Sequence, residues 1–245
     1  MGEERPEADE ISRKFIIDKK YGTTDDKPYP PETLVLCKVS FASNEIESSD
    51  SSDSEDVAGK FSNLRLQGWI FRNDSNHHAE ELCLQRLRQK GRQARRIEAE
   101  LIQSYAPCHD CADKIIAYKK EMAKAGKEVS IKITFANYYR WIGQHTNKDG
   151  VENLRKLKEM TNSNIDLHLL QGKTSWENLF KDDELVNLNR EDQRRLLKKA
   201  TSKARRKREG YDEALFDLIL DERPERQWKA LPLEWEIRED VNSEE

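Results

Sequence analysis

The chain has 245 residues, of which 37% are charged and 36% are apolar or aromatic, and its formal net charge is −4. This length predicts one domain of about 150–200 residues with appendages. The first residues contain no apolar segment typical of a signal peptide, and no apolar run approaches the roughly 18 residues of a membrane span. We therefore expect an intracellular protein, cytoplasmic, nuclear or both, that is neither secreted nor attached to a membrane.

The charges are segregated along the chain. Residues 42–56 are acidic and rich in serine, whereas residues 194–208 contain nine Lys or Arg and no Asp or Glu. The acidic stretch cannot bury a core and predicts a solvated loop, with a phosphorylated control element as the alternative. The basic stretch fits a solvated helix face as well as it fits a phosphate contact or a nuclear address at residues 205–208.

Hydrophobic patterning predicts an alternation of strands and helices. Residues 1–10 are polar and predicted to be disordered, and a first helix is predicted from residue 11. Strands are predicted at 33–41, 63–73, 97–105, 129–136 and 165–170. Helices are predicted from about residue 77, from Cys108, around 151–157, around Trp176, and over 191–220 with a break at Gly210. This order predicts an α/β fold with parallel strand pairs and helices on both faces of the sheet.

The same patterns divide the chain into regions. A folded domain is expected over residues 11–210, with the acidic loop at 42–60 inside it. A C-terminal helix and a polar tail are expected over residues 211–245, and the tail either folds back loosely or binds a protein partner. Cys37 and Cys83 fall on apolar faces, so we interpret them as core thiols rather than disulfide partners.

Two short segments predict a metal site. Imidazole and thiolate are good zinc ligands, and three protein ligands leave a fourth position for water, so His78, Cys108 and Cys111 form a suitable catalytic set. Pro107 suits the first turn of a helix that begins at the cysteines, because its missing N–H would be unpaired there. A zinc-bound water ionises near neutral pH, and Glu80 is placed to move protons rather than to bind the metal.

Other histidines and a cluster of aromatic residues leave alternatives open. His77 as a fourth ligand would make a closed structural site, but neighbouring residues seldom both reach one metal. His109, His145 and His168 are interpreted as solvent-facing, loop and strand residues. The aromatic residues at 138–141 are interpreted as an exposed platform for stacking bases, with plain core packing as the alternative.

The motifs resemble those of the AID/APOBEC family of polynucleotide cytidine deaminases over roughly residues 11–210. The pattern His78-Ala79-Glu80 with Pro107-Cys108-His109-Asp110-Cys111 is a known signature of nucleobase deaminases. Residues 71–75 resemble the strand end and loop before the zinc histidine. Residues 104–108 resemble the family's Ser-Trp-Ser-Pro-Cys, and Trp176-x-x-Leu179-Phe180 resembles its helix after the fifth strand. The resemblance implies a three-layer cytidine-deaminase-like fold, with a five-stranded mixed sheet, about six helices, and strands 4 and 5 parallel.

The resemblance also implies roles at the target base. Glu80 would protonate N3 of cytosine and carry a proton to the leaving ammonia. The Ala79 N–H and the Ala106 carbonyl would read the cytosine edge, and Asn73 would hold the target nucleotide. Tyr105 and Tyr139 would pack on the flipped base. Tyr105 stands where the family has tryptophan and Ala106 where it has serine, and both changes keep an aromatic wall and a backbone acceptor.

Arg140 and Trp141 would meet the preceding base, and the partner implied is single-stranded DNA or RNA. The leading functional hypothesis is zinc-dependent hydrolytic deamination of cytosine to uracil in a single-stranded polynucleotide, with DNA favoured. The alternatives are a deaminase of free cytidine or of adenosine in tRNA, and a non-catalytic zinc-containing nucleic-acid-binding protein. We expect a monomer.

Overall fold

The computed structural model describes residues 4–17, 32–42, 66–138 and 148–220. The strands within these ranges are β1 (Leu34–Ala42), β2 (Gln67–Arg72), β3 (Arg96–Gln103), β4 (Glu128–Phe135) and β5 (Asp166–Leu169). The helices are α1 (Ala8–Lys14), α2 (Ala79–Lys90), α3 (His109–Lys124), α4 (Lys148–Asn162), α5 (Gly172–Phe180), α6 (Arg190–Ala200) and α7 (Lys203–Leu220).

The five strands form one mixed sheet in the order β2-β1-β3-β4-β5. β1 pairs antiparallel with β2 and β3, whereas β4 runs parallel to both β3 and β5. Parallel strands need crossover helices, and α3 and α4 supply them after β3 and β4. The predicted mixed sheet with parallel strands 4 and 5 is confirmed. Its parallel half brings the C-terminal ends of β3 and β4 to the same edge.

Both faces of the sheet are covered, as the alternation in β1 shows. Val35, Cys37 and Val39 belong to one core, with residues of α2, α3, α4 and α7. Leu34 and Leu36 belong to a second core, with residues of α1, α5 and α6. Successive strand side chains point to opposite faces, so the unbroken apolar run at residues 34–37 fits a strand that is covered on both faces. Cys37 and Cys83 are free, buried thiols of the first core, as predicted.

The beginning of the domain differs from the prediction. Disorder was expected up to residue 10, but α1 begins at Ala8, and both Ala8 and Ile11 are buried in the second core. The Asn187 N–H donates to the Pro6 carbonyl at 3.1 Å, so the segment before α1 is also anchored. The expectation is wrong for residues 8–10 because Ala8, the one apolar residue among them, packs with distant elements, which local composition does not reveal.

The break in the C-terminal helical region is also placed differently. It falls at residues 201–202 instead of Gly210, which lies inside α7. Ser202 caps the new helix, since its hydroxyl accepts from the Arg205 N–H at 3.2 Å. A side chain at Gly210 would meet nothing within 4 Å, so this glycine sits at an open helix position. The expected domain boundary at residue 210 therefore falls within one continuous helix.

Several predictions concern parts of the chain outside the described residues. These are most of the acidic loop at 42–60, the tail after residue 220, and Tyr139, Arg140 and Trp141. Within the described ranges, no helix is both long and apolar enough to cross a membrane.

Candidate metal and catalytic site

The start of α2 is held by the polar residues that precede it. The Asp74 carboxylate accepts from the backbone N–H groups of Asn76 and His77, each at 2.7 Å, which closes a tight turn. The Asn73 side-chain oxygen accepts from the Ala79 N–H at 2.9 Å. These bonds place His78 immediately before the helix and Glu80 in its first turn.

The start of α3 is reached from the C-terminal end of β3. Cys108 is the residue before the helix, and Cys111 lies in its first turn, one turn further along the same side. The side chain of Cys108 does not cap the helix. Instead, the side-chain oxygen of Asn153 in α4 accepts a hydrogen bond from the His109 N–H at 2.8 Å. Asn153 is buried, so the beginning of α3 is fixed by a neighbouring helix.

His78, Cys108 and Cys111 converge. Their ligand atoms all lie within 4.8 Å of one another. The Nδ1 atom of His78 is 3.2 Å from the Cys111 sulfur and 3.5 Å from the Cys108 sulfur. A tetrahedral zinc ion separates an imidazole nitrogen from a thiolate sulfur by about 3.5 Å. The three side chains therefore have the chemistry and the spacing of a zinc site.

His77 does not join this cluster. Its Nδ1 atom lies 3.2 Å from the Asp74 carboxylate, on the exposed turn before α2. The three-ligand interpretation is therefore supported over a closed four-ligand site. His109 also has a partner, because its Nδ1 lies 3.3 Å from the Asn153 side-chain oxygen, and it is only partly exposed.

The two cysteines are prepared for metal binding by their own contact. A hydrogen bond from Cys111 lowers the pKa of Cys108 to about 5, with His78 acting in the same direction. The pKa of Cys111 is raised, because it holds the proton that it shares with Cys108 and because it is buried. A thiolate is thus already present at neutral pH, and zinc binding would displace the remaining proton.

Glu80 lies beside these ligands in a buried position. Glu80 is 2% exposed, and burial raises its pKa to about 7, against the opposing effects of a hydrogen bond from its own backbone N–H, the charge of His78 and a hydrogen bond from Cys111. Among the described residues its Oε2 atom has no hydrogen-bond partner. A buried carboxyl oxygen without a partner, next to three ligand atoms, fits a site that receives a metal, a water and a substrate.

The residues expected at the target base lie around this site where the structure describes them. Tyr105 and Ala106 are buried in the turn between β3 and Cys108. The Ala106 N–H donates to the Asn137 carbonyl at 2.7 Å, which ties this turn to the second residue after β4. The Ala79 N–H is engaged by Asn73, so two residues expected to contact the nucleotide contact each other.

The expected exposed platform at residues 138–141 is wrong for Tyr138. Its ring is 2% exposed and packs edge to face on Phe135, with 5.2 Å between ring centroids. Its hydroxyl donates to the Asp212 carbonyl of α7 at 3.4 Å. Core packing, the alternative, describes this residue, because α7 covers a position that the local sequence left open.

The sequence did not predict the roles of three residues that support the site: Asn137, Asn153 and Arg205. Each is buried and bonded to segments far away in the sequence. An asparagine that follows a strand was a weak signal for a cap or turn role at Asn137. Nothing local distinguished Arg205 from the exposed members of the basic stretch.

A mixed five-stranded sheet with His78 and Glu80 at one helix start, and two cysteines at the next, defines a zinc-type nucleobase deaminase. The family described as APOBEC3, cytosine deaminase domain, matches residues 39–189. The chain belongs to this family, and the predicted family resemblance is confirmed. A search of curated proteins found no match.

Proposed function

We propose that the protein hydrolyses cytosine to uracil within a single-stranded polynucleotide, with DNA favoured over RNA. Cytosine deamination as such follows from the family and the site; the polynucleotide substrate is the proposal. The observation that carries the chemistry is the buried carboxyl of Glu80 beside the three ligand side chains, where burial raises its pKa and one of its oxygens has no partner among the described residues.

The residues divide the reaction between them. Zinc, held by His78, Cys108 and Cys111, would supply a water activated for attack on C4 of cytosine. Glu80 would take the proton that this water gives up and deliver it to N3. It would then take the proton of the new C4 hydroxyl and deliver it to the exocyclic amino group, which leaves as ammonia while the C4 carbonyl forms. One water is consumed and one ammonia is released, so atoms and charges balance.

Features outside the ligand set support a strand as the substrate. Asn73 lies before the start of α2 and is expected to hold the nucleotide. Tyr105 lies before Cys108 and is expected to pack on the base. Arg194 and Lys198 lie one turn apart on the exposed side of α6 and supply positive charge of the kind that phosphates require. We propose the same substrate roles for Tyr139, Arg140 and Trp141.

The test is incubation of the zinc-loaded protein with labelled single-stranded DNA and RNA panels, followed by scoring of uracil. Glu80→Gln is the matched control, because it keeps size and hydrogen bonding but cannot transfer the protons. We expect uracil from the wild type on at least one panel and none from Glu80→Gln. Absence of product on every polynucleotide, with zinc bound, would reject the proposal.

Parallel measurements separate the alternatives. If free cytidine is turned over as efficiently as the best oligonucleotide, the protein is a nucleoside deaminase, because contacts with a strand would then add nothing to its catalytic efficiency. Inosine formed in tRNA would identify an adenosine deaminase. If Glu80→Ala keeps the polynucleotide binding and the cellular effect of the wild type, the protein is a binding protein that uses zinc only for folding.

A further inference from the structure

Arg205 belongs to the basic stretch but does not lie on the surface. Its side chain is 1% exposed. One guanidinium nitrogen donates to the Ile17 carbonyl at 3.0 Å and to the Asn137 side-chain oxygen at 3.1 Å, and the other donates to the Ala136 carbonyl at 2.8 Å. These acceptors lie before β1 and immediately after β4. Arg205 therefore joins separate segments and cannot serve as a surface phosphate contact.

The buried charge is compensated by α5 and by its own helix. The Arg205 guanidinium lies over the Trp176 ring, 5.3 Å from its centroid. Glu209 is 3.6 Å from Arg205 and accepts from the Trp176 indole N–H at 2.9 Å. A buried cation is stable only with such partners, and the planar guanidinium can use all of them at once. The position of Arg205 is thus determined from several sides.

Asn137 carries this constraint to the candidate site. Its side-chain amide donates to the Ser104 carbonyl at 2.8 Å, and its own backbone carbonyl accepts from the Ala106 N–H at 2.7 Å. The turn at residues 104–106 is therefore held through Asn137 at both of its ends. This turn carries Tyr105, and two residues after it the chain reaches Cys108.

We propose that Arg205 is a positioning residue for the deamination site, acting through Asn137 on the turn that carries Tyr105 and Ala106. The inference rests on the proposed function for its catalytic consequence. Arg205 lies on α7, beyond the residues 39–189 that match the family. The C-terminal helix thus contributes to the geometry of the pocket wall, in addition to covering the sheet.

The test compares two variants with a control. Arg205→Met removes the guanidinium, while Arg205→Lys keeps the charge but lacks the planar fork that reaches three acceptors. Arg206→Met, at the exposed neighbouring position, loses the same charge and reports any effect of charge alone. The zinc-loaded proteins are compared at a temperature well below their unfolding transitions. If Arg205→Met does not fold, Arg205→Lys carries the test.

The first measurement is amide hydrogen exchange of the segment around Ala106, which does not depend on activity. We expect exchange about tenfold faster or more in both Arg205 variants and unchanged in Arg206→Met, because the Ala106 N–H loses a fixed acceptor. The second is kcat/KM on the best oligonucleotide, where we expect an at least tenfold loss relative to Arg206→Met.

Each result decides the matter. Unchanged exchange at Ala106 in the Arg205 variants would overturn the proposed anchor. Faster exchange with kcat/KM equal to that of Arg206→Met would show that Arg205 only stabilises the fold, and would overturn its positioning role. A wild type inactive on every substrate would reject the proposed function and with it the catalytic role of Arg205, while the exchange measurement would still decide the anchor.

Discussion

The side-chain oxygen of Asn73 accepts a hydrogen bond from the backbone N–H of Ala79, with 2.9 Å between the two atoms. His78, which precedes the helix, makes no side-chain cap. Helix starts leave N–H groups unpaired unless a side chain accepts from them, so Asn73 is the cap of α2. A cytosine edge that uses the Ala79 N–H must share this donor with Asn73 or displace it.

Exchanging Asn73 separates its role as a cap from its proposed role at the nucleotide. Asn73→Ala should lower the free energy of unfolding by about 1 kcal/mol, whereas Asn73→Asp should retain it, because a carboxylate also accepts at a helix start. Urea unfolding measures both, with exposed Asn76→Ala as the control. Asn73→Asp should still lose kcat/KM on oligonucleotides, since its charge repels phosphate. Wild-type activity in Asn73→Asp would restrict Asn73 to capping.

Glu80 should make the zinc-free protein less stable as pH rises. Burial raises its pKa from 4.5 to about 7, so the folded state binds the proton more tightly than the unfolded state. Stability from this group is complete below pH 4.5 and is lost as pH rises to about 7. Zinc-free Glu80→Gln should therefore match the wild type at low pH and exceed its unfolding free energy by about 3 kcal/mol above pH 7.

Chemical unfolding of both proteins after chelation, at several pH values, measures this difference. A difference that stays constant with pH would mean that the Glu80 carboxyl does not titrate in this window, and a wild type stabilised by rising pH would reverse the assigned direction.

The metal ligands and the parallel half of the sheet were predictable because their signals are local. His78 and Glu80 flank one helix start, and Cys108 and Cys111 lie one helical turn apart at the next. Ligand chemistry and helix spacing therefore specify the site without knowledge of the fold. The alternation of strands and helices likewise predicted that helices cover both faces of the sheet, as the two cores show.

The supporting contacts were not predictable, because they join distant parts of the chain. Arg205 contacts Ala136 and Ile17, and no local pattern identifies which arginine of a basic stretch is buried. Ala8 was assigned to a disordered segment because its burial depends on a surface made by other elements. Tyr138 was expected to be exposed because the position of α7 over it could not be read from its neighbours.

Replacing a proposed zinc ligand should remove the metal. Cys111→Ser and Cys108→Ser should fall from about one bound zinc per chain toward none after mild chelation, because a hydroxyl is a poor zinc ligand. Elemental analysis of the purified proteins measures this, with buried Cys83→Ser as the cysteine control outside the cluster. Zinc retained by the Cys111 variant at the wild-type level would remove Cys111 from the ligand set.

The contact between the N-terminal helix and β2 should weaken at low pH. Arg72 donates two hydrogen bonds to the Glu10 carboxylate, at 2.9 and 2.8 Å, and these bonds lower the pKa of Glu10. A lowered pKa gives stability that is present above pH 4.5 and is lost as pH falls further. Arg72→Met should therefore cost about 1 kcal/mol at pH 7 and progressively less in acid.

Thermal unfolding of Arg72→Met from pH 7 to pH 3 follows this loss, and exposed Lys90→Met serves as the control for removal of a cation. An Arg72→Met deficit that is the same at every pH would show that the Glu10 pair does not account for it.

Asn153 should control how firmly α3 presents its cysteines. Its side-chain oxygen accepts from the His109 N–H at 2.8 Å, and it is a buried residue of another helix. Without this acceptor the first turn of α3 would lose its cap, at a cost of about 1 kcal/mol. The turn that frays holds Cys108 and Cys111, so zinc should be released faster from Asn153→Ala, by about fivefold if the same energy opens the site. Transfer of zinc to a chromogenic chelator at pH 7 measures this rate, with exposed Asn162→Ala at the end of α4 as the matched control. Equal release rates for the wild type and Asn153→Ala would show that the cap stabilises α3 without holding the metal.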